Sequence, residues 1–106
     1  MQDNLTGANF AQHVDQTFNI IFDDHDPIPL RLAEVQMKQV LPMDARYGQS
    51  PEERRPPFSL LFKGPADLIL PQRLYRFDHP AMGQFDIFIV PVGANAEAVS
   101  YEAIFT

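Results

Sequence analysis

Gln84-Phe85-Asp86-Ile87-Phe88-Ile89-Val90-Pro91-Val92, then Gly93-Ala94-Asn95-Ala96, then Ala98-Val99-Ser100-Tyr101-Glu102-Ala103-Ile104-Phe105 is the stretch that decides the fold. In its first part Phe85, Ile87 and Ile89 share one face of an extended chain, and Phe88 and Val90 share the other. In its last part Val99, Tyr101, Ala103 and Phe105 fall into the same period of two. β-branched and aromatic residues at that spacing, joined by a short Gly- and Asn-containing connection, read as a β-hairpin.

Upstream, the same reading repeats. Ten prolines and five glycines cut the chain into pieces mostly too short for helices of ten to twelve residues. Gln16 to Asp23 alternates through Phe18, Ile20 and Phe22, and Asp24-His25-Asp26-Pro27 supplies a turn. From Ile28 to Gln39 the apolar set starts on Leu30 and Leu32 and changes phase at Ala33 to Val35 and Met37, the mark of a β-bulge. Phe58, Leu60 and Phe62 alternate with Ser59, Leu61 and Lys63 in a strand expected to be buried on both faces, closed by Gly64-Pro65. Pro71 to His79 is a further strand, ended by His79-Pro80 because a residue before proline prefers extended geometry. Phe58 and Phe88 are both expected in the core. The one helical segment is Ala8 to Val14, with Phe10 and Val14 on one face, expected to plug one end of the sheet. The class is therefore all-β: a small antiparallel barrel or sandwich of about six strands with one short N-terminal helix, in one domain spanning residues 1–106.

Composition narrows the chemistry. The 106 residues carry 14 acidic and 8 basic side chains, for a net charge of −6, with 45% hydrophobic residues. A chain this apolar folds, and a domain of this size buries roughly 65% of its unfolded surface. The absence of cysteine removes disulfides, thiolate nucleophiles and cysteine-ligated metals. Asp15, Asp23, Asp24 and Asp26 lie in a stretch without Lys or Arg, which repels phosphate backbones, so nucleic acid is not an expected partner. No apolar run approaches the roughly 20 residues that span a bilayer, so no membrane insertion is expected. Met1-Gln2-Asp3-Asn4 lacks the regions of a signal peptide. Synthesis in the cytoplasm is expected, with incorporation into a particle or release by lysis as onward routes.

Pro57-Phe58-Ser59-Leu60-Leu61-Phe62-Lys63-Gly64-Pro65, Leu70-Pro71-Gln72 with Tyr75, His79-Pro80 with Gly83, and Phe88-Ile89-Val90-Pro91-Val92-Gly93 with Tyr101-Glu102-Ala103-Ile104-Phe105 together resemble a bacterial domain family of unknown function. The resemblance covers roughly residues 10 to 106. That family has Arg where this chain has Lys63 and Leu where it has Met82, both mild changes. The resemblance implies a structural or assembly role, through a loose association with genes for phage-tail collar-like proteins, and it brings no catalytic residue. Physically the motifs read as architecture: Gly64, Gly83 and Gly93 at turns, aromatics in a core.

Few constellations suggest chemistry. Asp23-Asp24-His25-Asp26 has hard oxygen ligands but neither the glycine nor the distal glutamate of a calcium loop, so no metal site is assigned. Asp78-His79 with Ser59 or Ser100 does not make a triad, since adjacent strand residues point to opposite faces and neither serine sits on a nucleophile elbow. His79 is expected instead to cap a turn through its ring nitrogens. Arg73 and Arg76 fall on opposite faces and are expected to pair separately with acidic groups.

Binding is the remaining expectation. Residues 41 to 57 lack periodicity and read as a long exposed loop, the kind of segment that carries function. Its Tyr47, Glu52, Glu53, Arg54 and Arg55, together with Tyr75, are the candidate interaction residues. The last strand is either paired inside the sheet or open to strand addition by a partner. The expected function is non-enzymatic, without cofactor: a structural or protein-interaction module, a component or accessory of a phage-tail-like or other bacterial assembly, with a protein partner or self-association. The alternative is a small-molecule or carbohydrate-binding barrel whose mouth offers Tyr47 and Tyr75 as platforms.

Overall fold

The structure, a computed structural model, describes residues 6–37 and 57–105. Thr6 caps helix α1 (Gly7–Ala11), its hydroxyl accepting the Asn9 N–H at 3.2 Å. Five residues cannot hold a helix alone. α1 is held by Phe10, which is fully buried, and the chain leaves it through Asp15, at φ 74°, whose N–H donates to the Leu32 carbonyl at 2.7 Å. The helix expected over residues 8–14 is thus shorter, because the chain turns at Asp15 to enter the sheet.

Six antiparallel strands follow: β1 (Thr17–Ile21), β2 (Ile28–Met37), β3 (Phe58–Gly64), β4 (Arg73–His79), β5 (Gly83–Ala94) and β6 (Val99–Phe105). They close into a barrel in the order β1-β2-β3-β6-β5-β4, with β1 paired to both β2 and β4. The register of β2 against β3 shifts between Leu32 and Glu34, so Ala33 is the extra residue of the expected bulge. A second shift, between Pro91 and Gly93, bends β5 where it leaves β4 and meets β6. The hairpin connection lies two residues later than expected: Gly93 and Ala94 are still paired, and Asn95 turns the chain by accepting the Glu97 and Ala98 N–H groups at 2.8 and 2.9 Å.

β6 is paired with β3 along its length and with β5 from Val99 to Glu102. The edge considered for strand addition is therefore taken up by closure of the barrel.

Alternation decides the core. Phe18, Ile20, Leu30, Leu32, Leu60, Phe62, Phe77, Ile87, Ile89, Tyr101 and Ala103 point inward and fill the interior with side chains. β3 is buried at Phe58, Ser59, Leu60 and Phe62 and partly covered at Leu61 and Lys63, close to the expected two-sided burial. Phe88 departs from expectation: it lies on the outer face of β5, 50% exposed, because only the Phe85, Ile87 and Ile89 set faces inward.

At one end of the barrel Phe10 meets four rings from four strands. Its centroid lies 6.1 Å from Phe18, 6.0 Å from Phe58, 5.8 Å from Phe85 and 5.9 Å from Phe105. Among the described residues no β5–β6 pair forms beyond Val90–Glu102 toward this end, where Phe10 packs on both strands. The expected plug is thus one aromatic side chain. Phe10→Ala is expected to lower stability by about 3–5 kcal/mol, and Phe88→Ala by less than about 1 kcal/mol. Urea unfolding of the two variants checks this, and equal losses would contradict the assignment of inner and outer faces.

Candidate functional site

The residues proposed from sequence for binding do not come together. Tyr47, Glu52, Glu53, Arg54 and Arg55, with the whole 41–56 stretch of the expected loop, lie outside the described residues. Tyr75 is described, and it is only 5% exposed. Its hydroxyl donates to the Pro71 carbonyl at 2.7 Å, Phe22 meets its ring edge-on at 6.0 Å, and the Arg73 guanidinium lies 5.4 Å from the ring centre. Burial pushes this hydroxyl above the ordinary tyrosine value, against the pull of Arg73. Tyr75 is thus a wall of the barrel, its ring covered instead of open at a mouth, and it also borders the groove beside Leu74.

Tyr75 and Tyr101 instead tie down the end of the barrel opposite Phe10. Tyr101 pairs with Phe62 and Pro91, its ring is fully buried, and its hydroxyl accepts the Leu70 N–H at 2.9 Å while donating toward the Leu68 carbonyl at 3.4 Å. The segment between β3 and β4 is thereby laid over the interior with Leu70 buried. Gly64 makes room for this: a Cβ there would stand 2.5 Å from the Leu30 Cδ2 and 3.2 Å from the Tyr101 ring. Close approach, not a turn, is what this glycine supplies, whereas Gly83 does sit at the β4–β5 turn with φ +82°.

His79 caps that turn, as expected from sequence. Its Nδ1 accepts the Ala81 and Met82 N–H groups at 3.0 and 3.2 Å, and its Nε2 lies 2.7 Å from the Gln16 side-chain oxygen. Asp78, on the opposite face, is no partner in a dyad. Ser100 Oγ accepts from Lys63 Nζ at 2.9 Å, and Ser59 is packed beside Glu34, Gln36 and Leu61. In the acidic turn His25 stacks on Phe22 with centroids 4.0 Å apart, and its Nδ1 meets the Asp26 carbonyl at 3.0 Å. Among the described residues no three His, Asp or Glu side chains assemble into a group able to hold a metal ion.

What sequence reasoning missed is an outer face. Leu74 of β4 pairs directly with Phe88 of β5, and both point outward. Val92 is the extra residue of the bulge in β5, and Ile104 points outward from β6 two residues past the Val90–Glu102 pair, where β5 and β6 have parted. Leu74, Phe88, Val92 and Ile104 are 57, 50, 53 and 60% exposed. Beside Leu74 a groove of about 360 Å³ opens between Ile21, Asp23, Arg76 and Asp86, with Arg76 Nε 3.3 Å from Asp86 Oδ1. Alternation showed that these side chains share a parity on their own strands. That they share one patch depends on β4, β5 and β6 being neighbours, which sequence did not establish.

A family model described as "Domain of unknown function (DUF6916)" matches residues 5–105. The chain belongs to this family. No curated protein and no solved structure matches it. In this DUF6916 domain the motif residues singled out from sequence are accounted for by the fold: Tyr101 holds Leu70, Tyr75 holds Pro71, His79 holds its turn and Gly64 admits Tyr101.

Tyr101→Phe leaves the buried Leu70 N–H without its acceptor and is expected to lower stability by about 1–3 kcal/mol, read from urea unfolding. A loss under about 0.3 kcal/mol would mean that this hydroxyl does not tie the segment down.

Proposed function

We propose that this domain is a non-enzymatic structural module that associates with further copies of itself through the outer face of β4, β5 and β6. The observation that supports it is the directly paired and exposed Leu74 and Phe88, with Val92 and Ile104 exposed on strands β5 and β6. Apolar side chains scattered singly are ordinary on a protein surface, but a contiguous set rimmed by charge marks an interaction site.

Charge favours a second copy as the occupant. With a net charge of −6 the chain repels itself over most approaches. At this face, however, Arg76 and Asp86 stand side by side, which offsets one of the two carboxylates of the groove and leaves Asp23 as its surplus. Under a twofold rotation the cation of one copy can face the anion of the other, the self-complementarity that symmetric dimers require. A handful of side chains covers only part of the roughly 800 Å² per partner that a stable complex buries, so the association is concentration-dependent. The sequence resemblance supports a phage-tail-like or other bacterial assembly as the setting, with the module made in the cytoplasm and built into a particle. The candidate chemistry supports a non-enzymatic reading too, since the bonds of His79 are spent on a turn and on Gln16.

Light scattering on a sizing column, over about two orders of magnitude in protein concentration, tests the proposal. The wild-type mass is expected to rise from one chain toward two or more, and Phe88→Glu and Leu74→Glu to keep a single-chain mass throughout with thermal midpoints within a few degrees of wild type. A single-chain wild-type mass at every concentration overturns self-association; a rise that survives both substitutions overturns the assignment of the face.

A further inference from the structure

His79 is 3% exposed, and its polar atoms are fully engaged. Two N–H groups, of Ala81 and Met82, point at Nδ1, so that nitrogen carries no proton. The ring proton is therefore on Nε2, which donates to Gln16 Oε1 at 2.7 Å. The same oxygen receives Nδ1 of His13 at 3.0 Å. The rings of His13 and His79 stand 4.5 Å apart, and Phe18 stacks on His79 with centroids 4.4 Å apart. Gln16 is itself anchored to β2, its carbonyl accepting the Leu32 N–H at 3.0 Å. One neutral imidazole thus joins three pieces: the β4–β5 turn, the segment between α1 and β1, and the aromatic end of the core.

We propose that His79 is an acid-sensitive latch, whose protonation at Nδ1 releases the β4–β5 turn while its Nε2–H keeps hold of Gln16. A proton at Nδ1 faces two N–H donors and can bond to neither, so both turn bonds are lost, the Met82 one in buried surroundings and the Ala81 one nearer solvent. The Nε2–H still donates to Gln16. The surroundings offer little relief. From the α1–β1 segment the facing titratable group is His13, which adds repulsion when charged. Asp15 in that segment is turned to solvent and paired with Arg31 at 3.0 Å. β1 presents Phe18, and the turn presents Ala81 and Met82, none of them charged. Asp78, next to His79 on β4, is the one carboxylate nearby and points to the other face of the strand.

The sign follows from these surroundings. Burial first, then His13, hold His79 below the ordinary histidine value of 6.5, with Asp78 opposing. The unfolded chain therefore binds this proton more readily than the folded one. The latch contributes its full stabilisation above pH 6.5 and loses it as pH falls from there through the folded-state value. What opens is the β4–β5 turn, whose Ala81 and Met82 N–H groups lose their shared acceptor, while the Nε2–H bond to Gln16 holds the segment before β1 in place. The inference holds whichever partner the outer face takes.

Hydrogen exchange of the full chain at about pH 7.5 and about pH 5, corrected for the intrinsic rate, is the test. Protection of the Ala81 and Met82 amides is expected to fall at least about tenfold at the lower pH, while Phe10, His13, and Leu60 and Phe62 of β3 keep theirs. In His79→Asn, whose Oδ1 can take the place of Nδ1 as acceptor and cannot be protonated in this range, the two amides are expected to lose that pH dependence. In His13→Asn they are expected to keep it. Should His79→Asn fail to fold, nitrogen shifts of the wild-type imidazole decide: they are expected to show Nδ1 unprotonated at neutral pH and to titrate together with the loss of protection. Protection that is independent of pH, or that falls equally in His79→Asn or throughout β3, overturns the latch.

Discussion

A six-stranded barrel this small has to fill its interior and stop both ends, and the end nearest the N-terminus is stopped by Phe10. That ring touches Phe18, Phe58, Phe85 and Phe105, so strands β1, β3, β5 and β6 share one contact. Aromatic pairs at 5.8–6.1 Å add roughly 0.5–1.5 kcal/mol each beyond the area they bury. Further rings extend the contact inward, from Phe18 to Phe62 at 5.7 Å and from Phe62 to Phe77 at 5.2 Å. Helix α1 exists because it carries Phe10, and β5 is free to bend away from β6 because Phe10 covers the place where they part.

The other end is stopped by a different device. Two tyrosine hydroxyls, of Tyr101 and Tyr75, hold the backbone of Leu70 and Pro71 over the core. A phenol suits this position, since its ring packs in the interior while its hydroxyl reaches a backbone group that would otherwise be buried without a partner. The apolar end and the polar end therefore differ in what disturbs them. The Phe10 end is tied to the rest through an imidazole whose neutral form caps the β4–β5 turn, and the tyrosine end through two phenol hydroxyls, of which burial holds that of Tyr75 above the ordinary tyrosine value. Sensitivity to acid is thereby concentrated at one end, while the outer face of β4, β5 and β6 lies on the wall between the two.

Much of this architecture was legible from local pattern. Period-two alternation located all six strands, the phase change at Ala33 located the bulge, and the ring nitrogens of His79 beside Pro80 pointed to the turn they cap. The misreadings share a cause. Alternation says which residues share a face but not which face is inside, so it cannot by itself tell that Phe88 points outward and that the Tyr75 ring is covered. Barrel against sandwich turned on the β1–β4 pairing, a contact between residues more than fifty positions apart that no local pattern encodes. Gln16 and His13 were invisible as partners of His79 for the same reason, and the apolar row needed the order of β4, β5 and β6 before it became one patch. The candidate interaction residues between Tyr47 and Arg55 lie in a stretch without periodicity, which points to no particular geometry.

The measurement that bears most directly on this structure is the set of nuclear Overhauser contacts made by the Phe10 ring in the full chain at neutral pH. Contacts to the rings of Phe18, Phe58, Phe85 and Phe105 together are expected, with Phe10 ring shifts far from random-coil values. A Phe10 ring with random-coil shifts and none of these contacts, in a chain whose β1–β4 and β3–β6 cross-strand contacts are intact, would show that the barrel closes without its plug and would contradict the dependence described here.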